Sequence, residues 1–153
     1  MDSYLSNLNE EEKRSLIEAP ALIAILVAGA DNNIDDAEKD WAEKVTHFRS
    51  MKNDSILSGY YYEVDKVFLD TFNDYISSLP KDAVERNKHI SSELKKLNEI
   101  FPKLESEFAK ELYHSFLTYA EQIAKASGGV LGYASVSAEE KEWAQLNMIS
   151  KPY

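Results

Sequence analysis

The sequence predicts an all-α fold: a single-domain bundle of about seven helices carrying an internal helix-loop-helix repeat. Three observations predict it. Apolar residues recur at three- and four-residue spacing over long stretches, while strict period-two alternation is absent. Only five glycines and four prolines punctuate 153 residues. A composition of 44% hydrophobic and 29% charged residues is that of an ordinary globular chain of one-domain size.

The elements follow in order. Asn9-Glu-Glu-Glu opens a short first helix with Asn9 as its N-cap. Pro20 suits the first turn of a second helix through Leu22, Ile23, Leu26 and Val27, within the most apolar run, Ala19 to Ala30. That run is shorter than the roughly 20 residues a bilayer span needs, so it reads as a buried core helix. Asp31-Asn-Asn is a turn cluster. A third helix starts near Asp35, with Glu38 as capping-box partner and Trp41, Ala42, Val45 and Phe48 as its stripe. The fourth spans about 60–79, with Val64, Val67, Phe68, Phe72, Tyr75 and Ile76 on one side, and Pro80 ends it. The fifth spans about 82–101 on Ile90, Leu94, Leu97 and Phe101. Pro102 starts the sixth, which runs through Leu104, Phe108, Leu112, Phe116 and Tyr119 to a stop at Gly128-Gly129. Ser137 caps the seventh, with Glu140 at the capping-box position.

The repeat joins two distant stretches. Pairing Ile34 with Val136 brings Glu38 onto Glu140, Lys39 onto Lys141, Trp41 onto Trp143 and Ala42 onto Ala144. Ala28 and Ala30 fall on Ala124 and Ala126 once a Gly-rich insert, Gly128–Ala134, is set aside. The two units are expected to pack about an approximate two-fold axis. Two readings of the insert stand: an apolar elbow packed on the bundle, or an exposed loop that binds a partner.

Composition narrows the function classes. The chain has no cysteine, which excludes disulfides and thiolate metal sites and fits a reducing cytoplasm. No signal peptide is expected, because the first residues have neither a basic nor an apolar region. A net charge of -10 argues against nucleic-acid binding and points to cations, basic partners or solubility.

Asp31, Asn33 and Asp35 match the first three ligand positions of an EF-hand loop, but Asp36 replaces its glycine and Ala42 its bidentate Glu. The acidic loop therefore has two readings: a Ca²⁺ or Mg²⁺ site of another geometry with Glu38 reaching back, or simple helix capping. In the second copy Ser127, Ser135 and Ser137 stand in place of carboxylates, so the first loop is the better site, with Glu140 approaching across the two-fold. Glu111-x-x-His114 has the spacing of di-iron bundles, but His47 and His89 follow their glutamates by one residue too many. The Gly-rich loop lacks the Lys-Ser/Thr ending of a P-loop. Three scattered histidines and no cysteine offer no nucleophilic triad, so no enzyme is expected.

Two segments resemble the motifs of the TerB-like (tellurite-resistance) helical domains: Ala24-x-x-x-Ala28 and Ala30-Asp31 with Ile-Asp-x-x-Glu, within Ala24–Glu38, and Ile-Ala-x-Ala-Ser-Gly-Gly-x-Leu-Gly with Val-Ser-x-Glu-Glu, Ile123–Glu140. The resemblance implies an all-α cytoplasmic bacterial domain linked to stress or tellurite resistance, with a protein partner at a membrane-associated complex and no insertion into the membrane itself. It also implies a divalent metal held by acidic residues, which carry over to Asp31, Asp35, Glu38 and Glu140. Asn32 stands where the family usually has glycine. The expectation is a non-enzymatic binding module; the alternative is a structural or assembly protein whose acidic motifs only cap helices.

Overall fold

A computed structural model describes residues 2–29, 34, 36–52, 55–129 and 142–153, the side chains of 2, 3 and 127–129 excepted. Every regular element among these residues is helical: α1 (Asp2–Leu5), α2 (Glu10–Ala28), α3 (Asp36–Ser50), α4 (Ser58–Ser78), α5 (Ala83–Lys95), α6 (Leu97–Ile100), a 3₁₀ turn (Phe101–Lys103) and α7 (Ser106–Gly129). Five of them, α2, α3, α4, α5 and α7, are 13 residues or longer. The expected seventh helix from Ser137 and the second loop of the repeat lie outside the described residues.

The expected first and second helices are one continuous helix, α2, which corrects the reading of Pro20 as a helix start. Asn9 does cap it: Asn9 Oδ1 accepts from the Glu12 N–H at 2.8 Å, and the Asn9 N–H donates to Glu12 Oε1 at 3.0 Å. Glu12 is also tied to Lys103, and that contact and the cap hold its carboxyl below the usual carboxylate range. Pro20 lacks the N–H that would bond the Leu16 carbonyl. The buried Tyr60 hydroxyl replaces it, donating to Leu16 O at 2.6 Å. With that carbonyl satisfied from α4, the helix continues through proline.

From Ala19 to Ala28 every residue of α2 is buried. This half of the helix is apolar on all sides, and α4, α5 and α7 pack on α2, with α3 and α6 in lesser contact. The buried apolar residues of α2, α4 and α7, with Ile90 and Leu94 of α5, belong to one continuous cluster, filled by Tyr60, Phe68, Phe72, Phe108, Phe116 and Tyr119.

Other boundaries shift by a turn. Asp82 caps α5 by accepting from the Glu85 N–H at 3.1 Å. The expected fifth helix is interrupted at Lys96, although its stripe of Ile90, Leu94, Leu97 and Phe101 is buried as read. Pro102 sits in the 3₁₀ turn, and α7 begins later, where the Glu105 carboxylate accepts from the N–H groups of Glu107 and Phe108. Leu104, Phe108, Leu112, Phe116 and Tyr119 are all buried. On α4, Val67 and Ile76 are exposed instead of joining the core face. No described helix is long and apolar enough to cross a membrane.

Candidate ligand-binding groove

The largest departure from the sequence reading is on α3. Ala42 and Val45 are buried, but Trp41 is 42% exposed and Phe48 66% exposed. Helical spacing puts Trp41, Lys44, Val45 and Phe48 on one face, with Arg49 beside them. That face forms one wall of a groove of about 540 Å³. Lys52, Ser55, Leu57 and Tyr61 line it from the α3–α4 connection and α4, and Ser115, Thr118 and Gln122 from α7. The three α7 residues share a helix face by their spacing of three and four.

Arg49 organises the floor. Its Nη1 donates to Ser115 Oγ at 2.7 Å, to the Ser115 carbonyl at 2.9 Å and to Tyr61 Oη at 3.1 Å. Nη2 donates to Gln122 Oε1 at 2.7 Å and to Thr118 Oγ1 at 3.1 Å. The guanidinium carbon lies 5.3 Å from the ring centroids of both Tyr61 and Tyr119. A planar five-donor fork suits this arrangement, and a lysine could not reproduce it. All of these acceptors are neutral, and the ion pairs among the described residues include neither Arg49 nor Lys44 nor Lys52.

The surrounding hydroxyls are fixed. Tyr61 and Ser115 hydroxyls are hydrogen-bonded to each other. Tyr119 Oη meets Thr46 Oγ1 at 3.1 Å, and Thr46 in turn donates to the Ala42 carbonyl at 2.9 Å. Burial raises the pKa of both tyrosines, opposed for Tyr61 by Arg49 and for Tyr119 by its bond with Thr46. Both therefore remain neutral hydrogen-bonding groups at ordinary pH. At the rim, Trp41 Nε1 donates to the Gln122 carbonyl at 3.3 Å, which sets the indole over the end of the groove.

Of the four metal candidates, only Glu38 is described. It is buried in the first turn of α3. Asp31, Asp35 and Glu140 lie outside the described residues, as does the Gly-rich loop beyond Gly129. Among the described residues no three His, Asp or Glu side chains gather as a metal-binding group. His47 is paired with Asp65 at 2.8 Å, and His114 is hydrogen-bonded to the Tyr153 hydroxyl. Near the first loop, the buried Arg86 donates to the Gly29 carbonyl at 2.6 Å and to the Lys81 carbonyl at 3.3 Å.

The two tryptophans of the repeat have different surroundings: Trp41 borders the groove, whereas Trp143 is half-buried against the core. The groove residues were visible only as a pattern, Lys44, Arg49 and Lys52 interleaved with Trp41 and Phe48, within a chain of net charge -10.

Fold and groove together define an all-helical protein with a groove lined by Lys44, Arg49 and Lys52 among apolar side chains. Comparison with family models, curated proteins and solved structures gives no match.

Proposed function

We propose that the chain is a non-enzymatic binding module of TerB-like kind, with the groove between α3, α4 and α7 as its recognition surface. One observation supports this above the others: three cations with no carboxylate partner among the described residues line a partly apolar groove of a size that small ligands fill. The purely structural alternative gives no reason to leave Trp41 and Phe48 in water. Amide spectra recorded against a small-molecule panel test the reading. Binding is expected to move the amides of 41–49 and 115–122 together; ligands that move only amides elsewhere would remove the groove from the proposal.

The resemblance adds a weak Ca²⁺ or Mg²⁺ site at Asp31, Asp35 and Glu38, with Glu140 nearby, and a protein partner at a membrane-associated complex involved in stress or tellurite resistance. A carboxylate buried as Glu38 is needs a compensating partner, which a cation or a capping N–H supplies equally. Millimolar Ca²⁺ or Mg²⁺ should then raise the melting temperature by mass action. An unmoved melting temperature leaves capping as the role of these residues.

A further inference from the structure

We infer that the groove takes a small organic anion, an aromatic body bearing one or two carboxylate charges. The inference rests on the groove being the recognition surface. Charge complementarity carries it: Lys44, Arg49 and Lys52 face the groove with no carboxylate among its described lining residues, on a chain of net charge -10.

The same numbers select the size of the ligand. A long polyanion or a strongly acidic protein surface would meet the repulsion of the whole chain. A mono- or dianion feels mainly charges within a Debye length, about 8–10 Å near physiological salt, and among the described lining residues of the groove those are cations. A volume of about 540 Å³ lies within the range of roughly 300–1,000 Å³ that small-molecule sites occupy.

The side chains divide the work. Trp41, Val45, Phe48 and Leu57 provide apolar wall, with the indole and phenyl faces available for stacking. The four terminal N–H groups of Arg49 already have acceptors on Tyr61, Ser115, Thr118 and Gln122. Arg49 therefore contributes a fixed positive field. Lys44 and Lys52, both exposed at the groove and in no ion pair with a described residue, are the ammonium groups placed to close on a carboxylate.

The test uses three probes: 1-naphthaleneacetate, its neutral amide 1-naphthaleneacetamide, and acetate. Binding is followed on the indole N–H resonance of Trp41, assigned with the Trp143→Phe variant. Naphthaleneacetate is expected to shift that resonance saturably and to bind about ten-fold more tightly than the amide, the worth of a charge-assisted hydrogen bond. Acetate should leave it unmoved at the same concentration. A Lys44→Glu, Lys52→Glu double variant, altered only at exposed positions, should lose that preference and bind the amide as before. Equal affinity for carboxylate and amide overturns the anion inference and leaves the groove reading standing. Acetate binding as tightly as naphthaleneacetate overturns the need for an aromatic body. If neither naphthalene compound moves the resonance, the groove reading falls together with the inference.

Discussion

Replacing Tyr60 with phenylalanine removes one hydroxyl from the core and should unfold the protein more easily than so small a change suggests. The ring contacts with Tyr61, Phe108 and Phe116 remain, so the substitution isolates the hydrogen bond to Leu16. That carbonyl has no N–H from Pro20 to fall back on, and Tyr60 is fully buried among apolar neighbours. A buried acceptor left without a partner costs about 1–3 kcal/mol. With a urea slope of about 1–3 kcal/mol per molar, the midpoint should fall by roughly 1 M. The same substitution in a Pro20→Ala background should cost about 1 kcal/mol or less, because the new N–H at position 20 can reach Leu16 O. The difference between the two costs is the coupling energy, obtained from four urea melts followed by circular dichroism. A loss below about 0.5 kcal/mol in the native background, or equal losses in both, would refute the claim that Tyr60 completes the proline-containing helix.

Two further outcomes are expected. Gly29→Ala should destabilise the fold by about 1–3 kcal/mol, as overpacking does. Its Cβ would lie 2.5 Å from Arg86 Nη2 and 2.8 Å from the Ile25 carbonyl, although the backbone itself, at φ -89°, suits alanine. An unchanged melting temperature would show that Arg86 yields freely. Stability should also fall as pH rises above about 10, because burial raises the pKa of Tyr60, Tyr61, Tyr75 and Tyr119 in the folded chain, and for Tyr75 the bond with Glu18 adds to it. These hydroxyls ionise first in the unfolded state, so the stability they contribute is complete below pH 10 and is lost toward their folded values. Denaturant melts between pH 8 and 11 check this, and Tyr119→Phe should make the decline shallower; a flat profile would contradict it.

Local signals in this chain read well, and long-range compensation did not. The α-helical class, the Asn9 cap, the buried Ala19–Ala28 run and the buried stripe from Leu104 to Tyr119 all follow from periodicity and capping chemistry. The continuity of α2 through Pro20 did not, because the hydroxyl that permits it comes from Tyr60 on another helix. Helical spacing also placed Trp41 and Phe48 on the core face of α3 together with Ala42 and Val45. It could not show that α4 and α7 cover only part of that face and leave the outer part as a groove wall. Arg49 was silent in the sequence for the same reason: its partners on α7 lie far along the chain. Of the acidic loop, only Glu38 could be compared with its expected place, and its burial fits the capping and the cation readings alike.

The envelopment of α2 has a consequence for how the chain reaches its fold. This helix comes early in the sequence, whereas the helices that cover it end as late as Gly129. During synthesis, ten successive buried residues, Ala19–Ala28, leave the ribosome well before their cover exists. Glu10, Glu11 and Glu12 at the head of the helix keep charge beside the exposed apolar run, and Pro20 within it cannot complete an intermolecular β-ladder. The proline that must be accommodated in the finished core thus serves the nascent chain as a guard against aggregation, and the Tyr60 hydroxyl is what the native state supplies to keep it there.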